Sequence, residues 1–480
     1  MSRNGKDAKP NGKQALTQGE QMANALDWIV NDKMFADVQL HGNVKWTVLH
    51  LVRVAVLWVW SSKRCLVESA DDAIGKSKEL FCSAGIRSYQ VLTNALVKYT
   101  PQILPRLLKR MHQLMEKVDS SKFRIGLWMV LAVDGSRLNV PRTRANEQRF
   151  CKPTTKRKKR HNKKKNNKRG RHATKRTPVS RKKHYNPQPV GPQTWLTLLW
   201  HVGLRMPWAW KIGPSYSSER AHFLALLESE DFPENTLFCG DAGFVGYDFW
   251  KTIDDTGHRF LCRVGSNCNF LNKLGRIRER QGIVYCWPKE KQDRKLPPLV
   301  MRLLRFHDGR GEVYLVTNEL SPSRLSDSLA SKIYRRRWGI EVQFRTLKQT
   351  FGRSKLLGRT PDVAEQELTW SLVGLWIAQL LALREQTPMT KPDSQTSVAQ
   401  VLRIFEDILQ RPDLVPEHGQ SFCRRMSEAM TDTYVRTSQK KSRNFPRRKE
   451  EPQTGPPNVT LATLEQKKLD KLVRATQNSS

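Results

Sequence analysis

With 480 residues and 38% apolar content the chain can hold roughly two to four separately cored domains, which excludes a short scaffold stapled by disulfides or metal. Lys and Arg number 84 against 45 Asp and Glu, a net charge of +39 that concentrates phosphate backbones and repels cations, so the expected partner is a polyanion, nucleic acid first. The eight cysteines stand singly, with Cys262 and Cys268 the closest pair and no Cys/His spacing that suits zinc, so they read as ordinary thiols.

Residues 1–22 are polar, lack the apolar core of a secretory signal, and read as a disordered tail; with no disulfide pattern either, the simplest location is intracellular. Residues 23–118 carry apolar side chains at helical spacing and read as a helical domain, with Pro101 and Pro105 expected to separate its helices. The greasiest run, Val44 to Trp60, contains Lys45, His50 and Arg53, so a buried helix is expected in place of a membrane span.

From 119 to 385 the texture becomes α/β. Leu127 to Val133 reads as a buried strand ended by Asp134 and Gly135. A basic insertion follows at 148–190. It holds 17 Lys or Arg between 152 and 183, and no acid occurs between Glu147 and Glu219. Such a run cannot bury a core and is expected to be disordered when free; it suits a nucleic-acid arm, though a targeting tract or a solvated spacer has the same composition. Past it, "TWLTLLWHVG" and "PWAWKIGP" read as strands and "SSERAHFLALLES" as a serine-capped helix, before "NTLFCGDAGF" gives a strand ending in Asp241. A helix, a strand and a β-rich insertion at 266–320 precede a helix carrying Glu341. Residues 386–480 read as a helical C-terminal region with a basic, Pro-rich linker at 436–458, followed by a last amphipathic stretch.

"IYRRRWGIEVQFRTLKQTF", residues 333–351, reads as one helix. At about 100° per residue it would gather Tyr334, Arg337, Glu341 and Lys348 into one stripe beside an apolar one of Ile333, Ile340, Phe344, Leu347 and Phe351. A solvated face with an Arg337–Glu341 pair at i,i+4 spacing, worth a few tenths of a kcal/mol, would give the same pattern. What favours a site is the company of two acids at strand ends, where α/β sheets bind ligands. Three carboxylates from separate segments suit a pair of divalent cations about 4 Å apart, with one to activate the attacking oxygen and one to stabilise the leaving oxygen. Taken alone, Asp-Gly and Gly-Asp are ordinary turn pairs.

Tyr334, Arg337, Glu341 and Lys348 fit the Y-x2-R-x3-E-x6-K signature, and with "AVDGS" and "GDAGF" in order, residues 125–385 resemble the DDE transposases of bacterial insertion sequences, the YREK group of the insertion sequence family four type. That family's second motif often carries Arg where this chain has Ala242, a departure that removes no metal ligand. The resemblance implies an α/β fold with a ribonuclease H-like core, a β-rich insertion before the last acid, and helical regions at either end. It implies Asp134, Asp241 and Glu341 as catalytic metal ligands for two Mg2+ ions, with Mn2+ as the alternative ion. Arg337 and Lys348 would grip phosphates, Tyr334 would hydrogen-bond another, and Trp338 would stack on a displaced base, with Trp287 and Tyr314 as other wedges. The implied reaction nicks the element's terminal repeats, often by way of a hairpinned end, and transfers the 3′-OH to target DNA. Two ends must meet, so a homodimer is expected, at the nucleoid of a bacterial cytoplasm; no GxxxxGK[ST] loop calls for a nucleotide cofactor. Three other readings share parts of this pattern: an inactive DNA-binding relative, a ribonuclease H-like nuclease, and a basic RNA- or ribosome-binding protein, the last with no use for the ordered acids.

Overall fold

The computed structural model describes residues 15–82, 85–152, 191–308, 311–387, 395–417, 419–431 and 455–478. The basic arm at 152–183 lies outside the described residues except for Lys152, as do most of the tail at 1–22 and of the linker at 436–458.

Ten strands occur among the described residues: β1 Met129–Asn139, β2 Gln193–His201, β3 Met206–Pro214, β4 Thr236–Gly240, β5 Arg259–Val264, β6 Asn269–Asn272, β7 Ile283–Cys286, β8 Leu299–His307, β9 Glu312–Thr317 and β10 Asn458–Leu461. All join one sheet in the order β10-β6-β7-β8-β9-β5-β4-β1-β2-β3. At its centre β1, β4 and β5 are parallel, while β2 and β3 extend it antiparallel on one side. The central strands are buried along nearly their whole length, from Val130 to Val133 and from Leu237 to Cys239, because helices cover both faces. The helices Glu219–Ser229 and Tyr247–Asp255 link β3 to β4 and β4 to β5. The fold is therefore mixed α/β, with the element order read from the sequence.

The strands of the 266–320 insertion do not stand apart from this sheet, since β9 returns to pair antiparallel with β5. The last amphipathic stretch docks there too. Strand β10 pairs parallel with β6, and the helix Leu464–Asn478 folds back so that fully buried Asp470 pairs with Arg276 at 2.7 Å and with Arg474 at 2.7 Å.

The run around Val44 to Trp60 forms the buried helix Val48–Trp60, and no helix among the described residues is long and apolar enough to cross a membrane. It packs on the 26-residue helix Pro361–Gln386, buried around most of its circumference, through a hydrogen bond from Trp60 Nε1 to the Gly374 carbonyl at 3.0 Å. All eight cysteines are free.

Three expectations need correction. Pro101 and Pro105 do not break a helix; Tyr89–Val118 runs through both. They sit one turn apart on the exposed side, so the carbonyls they leave without a donor face water, and a cost of about 3 kcal/mol each is offset by burial of Leu96, Ile103, Leu107 and Met111 at about 1.5–3 kcal/mol apiece. Asp134 does not end its strand. Strand β1 continues to Asn139 because β2 still pairs with it there, Asp134 opposite Leu198, after β4 has stopped. Residues 333–351 are not one helix. Asp327–Arg336 ends at Arg337, Gly339–Arg345 begins a new helix, and Thr346–Thr350 widens into a π-helical turn, so a constant 100° step does not hold across the stretch.

Gly339 fixes where the second helix starts: a Cβ there would collide with the buried indole of Trp200 on β2. Helix propensity alone would favour alanine by about 1 kcal/mol. The collision is worth more, so Gly339→Ala is expected to lower stability by about 1–3 kcal/mol in a denaturant titration; a gain in stability would show that the helix is free to shift off β2.

Candidate active site

Strands β1 and β4 pair in parallel up to Ala132 opposite Cys239. Two residues further along each chain lie Asp134 and Asp241. Side chains alternate with a period of two and neighbouring parallel strands lie about 4.8 Å apart, so the two acids emerge level with each other on the same face. Each is anchored by the glycine that follows: the Gly135 N–H donates to Asp134 Oδ1 at 2.8 Å, and the Gly243 N–H to Asp241 Oδ1 at 2.7 Å. Burial, helped by the charges of Asp241 and Glu341, pushes the Asp134 carboxyl up to about 6 against the pull of the Gly135 N–H and Arg337.

The broken helix supplies the opposite wall. Tyr334 is in the last turn of Asp327–Arg336, Arg337 is in the junction, Glu341 is in the first turn of Gly339–Arg345, and Lys348 lies in the π-helical turn. Arg337 is only 8% exposed, and its Nη2 donates to Glu341 Oε1 at 2.9 Å. The i,i+4 pair thus forms, but under cover and not on a solvated face. Burial works against the guanidinium, yet Glu341 and then Tyr334, Cys239 and Asp134 hold its pKa above the ordinary value. Arg337 Nε and Nη1 and Glu341 Oε2 are buried with no hydrogen-bond partner among the described residues. Burial pushes the Tyr334 phenol up to about 12, and its ring lies 5.7 Å from the Arg337 guanidinium carbon. Lys348 Nζ donates to Ser136 Oγ on β1 at 2.7 Å, and burial lowers its pKa.

Asp134, Ser136, Glu341 and Lys348 line a cleft of about 350 Å3. Asp241 stands beside Asp134. Trp338 is not among them: 59% exposed, it lies with Lys332, Arg335, Arg336 and Gln343 along a second cavity of about 1000 Å3. Trp287 is no wedge. It is buried in the insertion's own small core and donates to the Leu296 carbonyl at 2.7 Å. Tyr314 is half-buried within β9.

Sequence reasoning passed over Glu219, read only as the start of a helix. Its carboxylate reaches toward Gly135 and Gly243, the two glycines beside the acids. Burial, then the charges of Asp134 and Asp241, push it up to about 7, with Arg137 opposing. The signal available was a pair of glycines flanking the motif acids, which leave space for something.

Among the described residues no three His, Cys, Asp or Glu side chains are gathered so as to hold one metal ion. Glu341 is turned to Arg337, and bare like charges spread apart. The donor set still suits a hard cation, being carboxylate oxygens throughout, one of them buried and unpartnered.

Residues 197–377 match the family model of the transposase DDE domain, a span that includes Asp241, Glu341 and their Tyr, Arg and Lys companions but begins beyond Asp134. That match supports a DDE transposase. No curated protein matches the chain. Among solved structures the chain is similar to a piggyBac transposase synaptic complex with hairpin DNA, seen by cryo-EM, at 11% identity over 88% of this chain and 86% of that one; the TM-score of 0.36 is too low to argue from.

The raised Asp134 pKa sets a pH dependence. A carboxyl at about 6 when folded against 3.8 ordinarily binds its proton more tightly in the folded state, so stability is lost as pH rises from about 4 to about 6. In chelator, Asp134→Asn should therefore melt higher than the unsubstituted protein at pH 7.5, with the difference fading toward pH 4. An offset equal at both pH values would refute the crowding of charge inferred at this acid.

Proposed function

We propose that the chain is a DDE transposase of the YREK type, which binds the terminal repeats of an insertion sequence, nicks the DNA ends and transfers the freed 3′-OH to target DNA. The observation that carries this reading is the half-satisfied Arg337–Glu341 pair at the cleft beside Asp134, where two guanidinium nitrogens and one carboxylate oxygen are buried without partners. Buried donors and acceptors left unpaired cost about 1–3 kcal/mol each. A phosphodiester would satisfy the guanidinium, and a hard cation the carboxylate. The transposase DDE domain match supports the same reading, as does the strand order β3-β2-β1-β4-β5, with β2 antiparallel to β1 and β4 parallel to it, which suits a ribonuclease H-like core.

Asp134, Asp241 and Glu341 would hold the divalent cations, magnesium or in its place manganese. Bound there, the ions supply activation of the attacking oxygen and neutralisation of charge on the leaving one. The chain's own groups do the rest. The free nitrogens of Arg337 donate to non-bridging phosphate oxygens, a planar fork matched to that geometry. Lys348, steadied by Ser136, adds a point charge on the same side of the cleft. Tyr334 keeps its proton at neutral pH and donates it in a hydrogen bond. Trp338 offers an open ring face to a displaced base, outside the cleft.

The helical residues 23–118 and the arm at 152–183 would bind DNA largely through phosphates, consistent with the net charge of +39 and with steep salt dependence. Joining two ends calls for a homodimer on DNA, in a bacterial cytoplasm at the nucleoid.

The test uses the full chain, magnesium and a duplex ending in the element's terminal repeats. Glu341→Ala is expected to cut end cleavage about a hundredfold or more. Lys348→Ala should weaken binding of the ends about tenfold, or about 1.4 kcal/mol, with Mn2+ binding unchanged. Identical products from the unsubstituted protein and Glu341→Ala, or none from either, would defeat the catalytic reading. Nicked ends never joined to a target would favour a nuclease.

A further inference from the structure

Glu219 is the first residue of the helix Glu219–Ser229, a place where a glutamate ordinarily points to water and favours the helix dipole. Here the cap is already provided by Ser218, whose side chain accepts from the Ala221 N–H. Glu219 turns inward instead. A Cβ on Gly135 would lie 2.5 Å from its Oε1, and one on Gly243 would lie 3.9 Å from its Oε2.

Neither glycine has a left-handed φ, so the backbone does not demand glycine at either position. Room for this side chain is what Gly135 provides, and Gly243 keeps the far side open. The carboxylate makes no hydrogen bond or ion pair among the described residues. The nearest cation felt is Arg137, whose guanidinium lies over the Trp195 ring at 4.8 Å. A carboxylate brought in beside two others, with no donor to receive it, is unfavourable unless a cation neutralises the group.

We propose that Glu219 is a fourth carboxylate of the active site, holding a divalent cation together with Asp134 and Asp241. This rests on the catalytic reading above and adds a ligand to it from a helix that the three-acid signature leaves out. Glu219 then joins the sheet's crossover helix to the chemistry, as Glu341 does for the helix on the other wall.

Mn2+ binding to the full chain, measured by isothermal titration without DNA, tests it against thermal melts in chelator. Glu219→Gln is expected to weaken Mn2+ binding at least about tenfold. In chelator it should melt no lower than the unsubstituted protein, because a like charge has been removed, and its gain in melting temperature on adding Mn2+ should shrink. Asp134→Asn serves as reference. Loss of Mn2+ binding in Asp134→Asn but not in Glu219→Gln overturns the fourth ligand and leaves the catalytic reading standing. Unchanged binding in both overturns the catalytic reading and this proposal with it. A lower melting point of Glu219→Gln in chelator, with Mn2+ affinity kept, assigns the residue to the fold and overturns the proposal as well.

Discussion

The parallel pairing of β1 with β4 is the constraint from which the site follows. Its register puts Asp134 and Asp241 level on one face of the sheet, and a slip of one residue would send one of them to the opposite face. The pairing is held by the apolar residues that precede the acids, Val130 to Ala132 against Leu237 to Cys239, all buried under helices. Hydrophobic burial thereby fixes the separation of two charges that repel, and the sheet can hold them together because its core is large.

The second wall is built the other way, by interrupting regular structure. A continuous helix from 327 to 351 would carry its polar residues at fixed angular steps. The junction at Arg337 and the π-helical turn at Thr346–Thr350 instead let Glu341 and Lys348 meet β1 from separate short segments. Gly339 seats the first of these on Trp200, while Trp338, its neighbour, is turned outward to another cavity. Irregular backbone here coincides with the polar residues, as expected where a fold trades local propensity for the placement of reactive groups.

Much of this was legible in the residues. The alternation of strand and helix from β1 to β5, the acid directly after β4, and the buried helix at Val48–Trp60 follow from apolar runs whose length and flanks leave few choices. The misreadings share a physical origin in contacts made far along the chain. Pro101 and Pro105 look like breakers locally, and only the burial of the helix's other face overrides them. Asp134 looks like a strand end because the apolar run stops, whereas pairing with β2, some sixty residues later, carries the strand on. The break at Arg337 depends on Trp200, and the inward turn of Glu219 on two glycines in other segments; no window of local sequence contains either pair.

The pairing of β10 with β6 bears on how the molecule is made. Without it β6 would present an open strand edge, the kind of surface that recruits other chains. The residues that cover it, Asn458 against Asn269, are 189 positions apart, so during synthesis the insertion is finished long before its cover exists. The buried Asp470–Arg276 contact is likewise late. Ribosome-bound intermediates carry an unguarded edge for most of translation, and assembly of this half of the sheet waits on the last element to emerge.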